Sequence, residues 1–158
     1  MKYEENILET IGNTPLIKLN RITRGLKPLV LAKVEYFNPG GSIKDRMAIY
    51  ILEKARREGR LKPGATIVEA TSGNTGVAIA LYGAVMGYRV ILTVIDKVSK
   101  EKLDHLKAFG AEVVYYSTSG KNSNADFEQV SFEALLESCD IITIHAPLNT
   151  QTQELIVV

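Results

Sequence analysis

The spacing of apolar and polar positions changes character at Ala65. From there on, short apolar runs alternate with stretches of helical periodicity, the pattern of a parallel sheet with helices on its faces. The predicted strands are 66–71 (TIVEAT), 89–95 (RVILTVI), 112–117 (EVVYYS) and 140–145 (DIITIH), rich in Val and Ile as doubly covered strands are. Helices are expected at about 74–86, 99–109 and, shorter, 131–138. Gly87 and Gly110 fall where a helix must end.

Upstream of Ala65 the rhythm is different. Segments 15–20 (PLIKLN) and 29–36 (LVLAKVEY) alternate with period two and read as half-buried strands. Asn38-Pro39-Gly40-Gly41 is a strong turn, after which Ser42 caps a helix running to about Glu58. The only linker-like stretch is 117–126 (STSGKNSNAD). These elements define an α/β class, a three-layer Rossmann-like parallel sheet flanked by helices in one domain.

Composition narrows the partners. At 158 residues, 46% hydrophobic and 23% charged, the chain suits one ordinary domain with a sizeable core. Lys plus Arg number 19 against 18 Asp plus Glu, so overall charge points to neither nucleic acid nor an anionic membrane. A single cysteine, Cys139, leaves no internal disulfide and no multi-cysteine metal site, and suits a reducing compartment. The start, MKYEENILETIG, lacks an apolar leader, and no run approaches the roughly 18 apolar residues that span a bilayer. A cytoplasmic protein is expected.

Two clusters carry candidate chemistry. Lys44 lies in the first turn of a helix directly after Asn38-Pro39-Gly40-Gly41-Ser42, where unpaired amides and the helix dipole disfavour an ammonium. A lysine there is eased toward the neutral amine that attacks an aldehyde. The plainer reading is a solvated surface lysine followed by an Asp45/Arg46 pair. The second cluster, Thr71-Ser72-Gly73-Asn74-Thr75-Gly76, sits at the carboxyl end of a strand and leads into a helix, where open α/β sheets bind ligands. It offers amides and hydroxyls to a carboxylate or a phosphate; its plainer reading is a tight strand-to-helix turn.

Taken together, IGNTPLIKLN, LAKVEYFNPGGSIKDR, GRLKPGATIVEATSGNTGVAIAL and KEKLDHLKAFGAEVV resemble cysteine synthase and cystathionine β-synthase, the fold-type II pyridoxal-phosphate (PLP) enzymes, over residues 1–114. By that resemblance Lys44 matches the lysine that bonds the cofactor's aldehyde, and Asn74 the asparagine on its ring hydroxyl. Thr71, Ser72 and Thr75 match the loop that grips the substrate carboxylate. The family's enzymes are about twice as long, and a second domain supplies the phosphate cup and the partner of the pyridine nitrogen. Where they commonly carry a proline after the next strand, this chain reads Val94-Ile95-Asp96.

Residues 113–156, with FEQVSFEALLESCDIITIHAPLNTQTQELI, resemble instead the NAD(P) domain of D-2-hydroxyacid dehydrogenases: a strand, a short strand and helix, then a strand ending in His-Ala-Pro-Leu. In that family an acidic residue at the end of the first strand favours NAD, whereas Ser117, Thr118, Ser119 and Lys121 imply a 2′-phosphate. The G-x-G-x-x-G fingerprint is missing; 94–99 reads VIDKVS, so nucleotide binding should fail. His145 reads as a strand-end packing residue, His105 as a solvated helix residue and Cys139 as a small buried one.

The join lies in 109–114 (FGAEVV), a unit both families possess, where deliberate recombination would place it. The chain therefore reads as an engineered chimera, one domain over 1–158 built from 1–114 and 115–158. Lys44 and Asn74 are then vestigial PLP residues, Ser117, Thr118 and Ser119 vestigial NADP residues, with no cofactor expected bound. Two alternatives remain open: residual PLP-dependent β-replacement or β-elimination through Lys44, and a nucleotide module using 117–121. The expected strand order is 112–117, 89–95, 66–71, 140–145, all parallel. The two N-terminal strands are expected to pair with each other and either fold back on the sheet or mediate a homodimer through residues 1–36.

Overall fold

The computed structural model describes residues 1–71, 73–94, 100–115, 128–138 and 141–143. In chain order the elements are β1 (Leu16–Lys18), β2 (Leu31–Lys33), α1 (Lys44–Arg57), β3 (Thr66–Ala70), α2 (Asn74–Met86), β4 (Arg89–Val94), α3 (Lys100–Ala108), β5 (Glu112–Tyr115), β6 (Glu128–Gln129), α4 (Phe132–Glu137) and β7 (Ile141–Thr143), with 3₁₀ turns at Ile7–Thr10 and Glu35–Phe37.

Consecutive Val and Ile positions make β3, β4 and β5 buried on both faces, and the sheet runs β6-β5-β4-β3-β7 with every pair parallel. This is the expected order, with the two-residue strand β6 added outside β5. Each βα unit moves one place outward from β3, and the chain then returns to the free flank of β3 as β7. One face, through Ile67, Val90, Leu92 and Val113, packs on α1, α2 and α3; the other, through Val68, Ile91 and Val114, is covered by Leu135 of α4. Helices on both faces make the three layers.

Helix α2 is apolar all round, as a helix enclosed on every side must be. Gly76 to Gly83 are continuously buried, and α2 touches the sheet, α1, α3 and the first 3₁₀ turn. Its approach to β4 needs a glycine: a Cβ on Gly83 would lie 2.2 Å from Val90 Cγ2. Tyr82 stacks on Tyr88 at 6.1 Å and donates to Glu53 Oε1 of α1 at 2.8 Å. Burial, with the Glu53 carboxylate beside it, pushes the Tyr82 phenol up. Gly87 ends the helix with φ 76°.

Helix α1 buries Ala48, Leu52 and Ala55 at helical spacing. It then turns tightly into β3: Arg60 and Leu61 both donate to the Ala55 carbonyl, and Leu61 is buried. The end of α1 therefore sits beside the start of β3.

Three expectations are corrected. The N-terminal strands are shorter than 15–20 and 29–36, and the chain from Glu35 onward is a 3₁₀ turn. They are not half-buried: β1 and β2 pair antiparallel as a separate two-stranded sheet, and no layer among the described residues covers Leu16 or Ile17, 59% and 49% exposed. Helix α1 begins at Lys44, one place later than a Ser42 cap implies. Ser42 Oγ accepts the Lys44 N–H at 3.1 Å, and Ile43 at the helix boundary offers no side-chain cap. No described helix is long and apolar enough to cross a membrane.

The α2–β4 approach yields a prediction. Gly83→Ala should lower unfolding free energy by about 1–3 kcal/mol, because the added methyl must push α2 off Val90. Urea denaturation followed by circular dichroism measures it; an unchanged midpoint would show that α2 has room to spare.

Candidate active site

The loop that presents Lys44 is held by a network centred on Arg46. The guanidinium binds both oxygens of Glu35, Nε to Oε2 at 2.7 Å and Nη2 to Oε1 at 3.0 Å. Nη2 also donates to the Gly12 carbonyl at 2.8 Å and to Thr14 Oγ1 at 3.2 Å. The Thr14 hydroxyl in turn donates to Glu35 Oε1 at 3.0 Å. Asn38, 3% exposed, closes the ring: its Nδ2 donates to Glu35 Oε2 at 3.0 Å, and its Oδ1 accepts the Gly12 N–H at 2.8 Å. A two-pronged guanidinium–carboxylate pair is the strongest kind of hydrogen-bonded contact. With Arg46 foremost and Asn38 and Thr14 also donating, the Glu35 carboxyl is held down to about 2.

Between Asn38 and α1 the chain makes the expected turn, the Gly41 N–H donating to the Asn38 carbonyl at 2.7 Å with Gly41 at φ 80°. The Gly40 N–H donates to Asp45 Oδ2 at 2.5 Å. Asp45 is 1% exposed and lies so close to Gly40 that a Cβ there would come within 2.5 Å of Oδ1. Burial pushes the Asp45 carboxyl up, and the Gly40 amide opposes this. An Asp45/Arg46 pair is therefore not formed. Adjacent helical residues point about 100° apart, so Asp45 turns into the loop and Arg46 toward the N-terminal segment. Lys44 itself, the first residue of α1, is exposed.

Asn74 is the first residue of α2, exposed, and follows Gly73, which supplies no side-chain cap. The Gly73 carbonyl accepts from Gly76 and Val77. The amides of Asn74 and Thr75, at the first helical positions, have no acceptor within the helix. Apart from its chain neighbours, no atom of the described residues lies within 4 Å of where a Gly73 Cβ would stand, which leaves the backbone open there. Thr71 Oγ1 accepts the Gly73 N–H at 3.2 Å and shapes the turn, and a Cβ on Gly76 would meet Thr71 Cγ2 at 2.8 Å. Ser72, Ser117, Thr118, Ser119, Lys121, Cys139 and His145 lie outside the described residues; His105 is exposed on α3, as expected.

Lys44 and the 71–76 loop lie at the same end of the sheet. Helix α1 ends beside the start of β3, and α2 begins just past its end, so both run against the strand direction with their starts at the sheet's carboxyl end. Glu53, the tenth residue of α1, meets Tyr82, the ninth of α2. The two helices therefore pack side by side with both starts at that end of the sheet. Sequence reasoning singled out Lys44, Asn74, Thr71 and Thr75 and missed the network of Arg46, Glu35, Thr14 and Asn38. Their signal was a glutamate three residues before Asn38 and an arginine that no helical neighbour could pair.

The described site is thus an α/β domain with a lysine in the first turn of one helix and a glycine-containing strand-to-helix loop at the start of the next. The chain belongs to the pyridoxal-phosphate dependent enzymes, whose family model matches residues 7–151. It is 52% identical over 122 residues to cystathionine β-synthase of Rattus norvegicus, covering 76% of this chain and 22% of that protein. It is 49% identical over 113 residues to cysteine synthase of Staphylococcus aureus, covering 72% and 36%. Among solved structures it is similar to cysteine synthase from Entamoeba histolytica, at TM-score 0.69 and 47% identity over 72% of this chain and 35% of that one. An O-ureido-L-serine synthase gives TM-score 0.68 at 40% identity over 79% and 39%. The chain spans well under half the length of these relatives. The family model also runs beyond Val114, across 115–151, so the limit of the PLP-enzyme resemblance moves outward from the one the sequence pattern gave.

The network sets an acid limb. Because the Glu35 carboxyl drops on folding from the usual 4.5 to about 2, its contribution is complete above pH 4.5 and is lost as pH falls toward 2. Asp45, pushed the other way, favours the fold in acid and opposes it as pH rises. Urea midpoints measured from pH 6 to pH 2 should fall in acid for the native chain. In Glu35→Gln they should start lower and fall less; an equally steep fall in the variant would mean that other carboxylates carry the acid sensitivity.

Proposed function

We propose that the chain carries the lysine-and-carboxylate half of a PLP-dependent β-replacement site, acting on an amino acid with a leaving group on its β-carbon. The observation that carries this is that Lys44 opens α1 and the 71–76 loop opens α2, two helices that pack on each other and both start at the sheet's carboxyl end. The residues fit the cofactor and substrate: Lys44 is exposed with its backbone fixed, Asn74 is a free amide side chain, and the space at Gly73 is open. In this reading Lys44 would hold the cofactor through its aldehyde and would be the group that carries protons to and from the substrate's α-carbon. Asn74 holds the ring hydroxyl, and Thr71, Ser72 and Thr75 hold the substrate carboxylate with the α2 amides. PLP, when bound, supplies the electron sink that makes the α-proton acidic.

The half-site does not suffice for turnover. Among the described residues no second glycine-rich cup stands beside it to take the cofactor's phosphate, which forgoes several charge-assisted hydrogen bonds of about 1.5–3 kcal/mol each. Residues 1–36, whose strands lack a covering layer, serve in this reading as a surface for self-association. A second reading takes 115–158 as a dehydrogenase-derived segment joined to the PLP-enzyme part. It is favoured by the succession β5, β6, α4, β7, which follows the strand, short strand, helix and strand of that resemblance. The family model's continuation to residue 151 weighs against it. Retention of NADPH by the chain would support it, and the missing fingerprint predicts none.

Reductive trapping tests the main proposal. With PLP at millimolar concentration and borohydride, peptide mapping should find Lys44 labelled ahead of the other lysines. Without reductant the cofactor should be lost on desalting, and no cysteine should form from O-acetylserine and sulfide. Uniform labelling of the lysines would sink the site. A visible absorbance band that survives desalting and vanishes in Lys44→Ala would instead show the site to be complete.

A further inference from the structure

The run from Asn38 to Asp45 has an inner and an outer side. Asn38, Gly40, Ser42 and Asp45 are buried, whereas Gly41, Ile43 and Lys44 are exposed. Lys44 therefore stands on the outside of a loop whose inner side is polar, and Asp45 is the one ionisable group on that inner side. Its carboxyl fills the place a Gly40 side chain would take: a Cβ there would lie 2.5 Å from Oδ1 and 3.0 Å from Oδ2. With Oδ2 also accepting the Gly40 N–H, Asp45 grips the loop at Gly40, four residues before the lysine.

No charge answers that carboxyl. Asp45 joins none of the ion pairs among the described residues. Arg46 is turned to Glu35 and the Gly12 carbonyl, Lys33 donates to the Thr14 carbonyl, and Lys44 is on the outer side. Residues 38–43 carry no titratable side chain, and α2 carries none before Tyr82, which donates to Glu53. Oδ1 has no hydrogen-bond partner among the described residues. A buried carboxylate with one bare oxygen is penalised; a proton on that oxygen removes the charge and leaves Oδ2 free to accept.

We infer that Asp45 is a positioning residue for Lys44: as the neutral acid it clamps the loop at Gly40, and its ionisation loosens the stretch that presents the lysine. The role given to Lys44 rests on the PLP reading, and Asp45 adds a proton-dependent control to that site. The sign follows from burial, which raises the Asp45 carboxyl above its ordinary 3.8. Its contribution is complete below that value and is lost as pH rises through the folded one. Glu35 acts in the opposite sense and contributes fully above pH 4.5. The two histidines, His105 and His145, lie outside the loop, α1 and α2. A change in the loop between pH 4.5 and pH 8 therefore belongs to Asp45.

Hydrogen exchange on the full chain tests this without cofactor. In the native chain the protection of the Gly40 amide should fall roughly tenfold or more from pH 4.5 to pH 8, while that of Ala80 holds. Asp45→Asn keeps an oxygen for the Gly40 N–H and cannot ionise, so its Gly40 protection should be level over the range. Asp45→Ala should protect Gly40 roughly tenfold less than the native chain at pH 4.5. A level profile in the native chain, the native fall repeated in Asp45→Asn, or full protection in Asp45→Ala would each overturn the clamp. Trapping with PLP and borohydride at pH 7 reads the lysine: labelling of Lys44 relative to the exposed Lys62 should rise in Asp45→Asn and drop in Asp45→Ala. Preferential Lys44 labelling that ignores both variants would overturn the positioning role. Uniform labelling of the native lysines, with the Gly40 profile as expected, would sink the PLP reading and leave Asp45 as the clamp of the loop.

Discussion

Arg46 reaches from the first turn of α1 to a carboxylate eleven residues back and to a carbonyl thirty-four residues back. The presentation of Lys44 depends on that reach. The segment 38–42 contains two glycines and packs little apolar surface, and ordering such a stretch costs about 1–2 kcal/mol of backbone entropy per residue. The hydrophobic core lies beneath α1 and α2 and cannot supply it. What offsets it is the closed ring of Arg46, Glu35, Thr14, Asn38 and Gly12, with the Gly40–Asp45 hydrogen bond inside. The same ring ties the N-terminal segment to α1 and so fixes where the uncovered β1–β2 hairpin stands.

This arrangement contains a tension. Asp45 is buried with one carboxylate oxygen, Oδ1, lacking a hydrogen-bond partner among the described residues, a cost in stability at neutral pH. Yet its other oxygen holds the Gly40 amide, and Gly40 is the residue that admits the carboxylate so closely. The close Gly40–Asp45 contact fixes the loop at a cost in stability. Glu35 and Asp45 are two carboxylates ten residues apart, one pulled down by a cation and one pushed up by burial.

The parts of this fold that declare themselves in sequence are those set by local pattern. Helix α2 runs over the expected 74–86 because Gly73 and Gly87 bracket an apolar stretch of the right length. The order of β5, β4, β3 and β7 follows from the handedness and short reach of βα connections. Lys44 and the 71–76 loop stand out because glycines, Ser and Thr cluster at helix starts. The Arg46 network was not legible: its partners are remote in sequence, and the nearest carboxylate, Asp45, is geometrically unable to pair with its neighbour. Nor could alternation in 15–20 and 29–36 show that those strands would lie exposed. Period two says which side would face a partner and is silent on whether one is present. Strand β6, two residues long, is below the length at which any pattern can be read.

The ring around Arg46 holds the lysine loop in place. Native-state hydrogen exchange of two amides addresses it: Gly12, which donates to Asn38, and Gly40, which donates to Asp45. In the native chain both should be protected and should open with the same free energy. In Arg46→Met both should lose protection together, while Ala80 in the buried middle of α2 keeps its own. If Gly40 remains as protected in Arg46→Met as in the native chain, the loop is held by something else and the account is wrong.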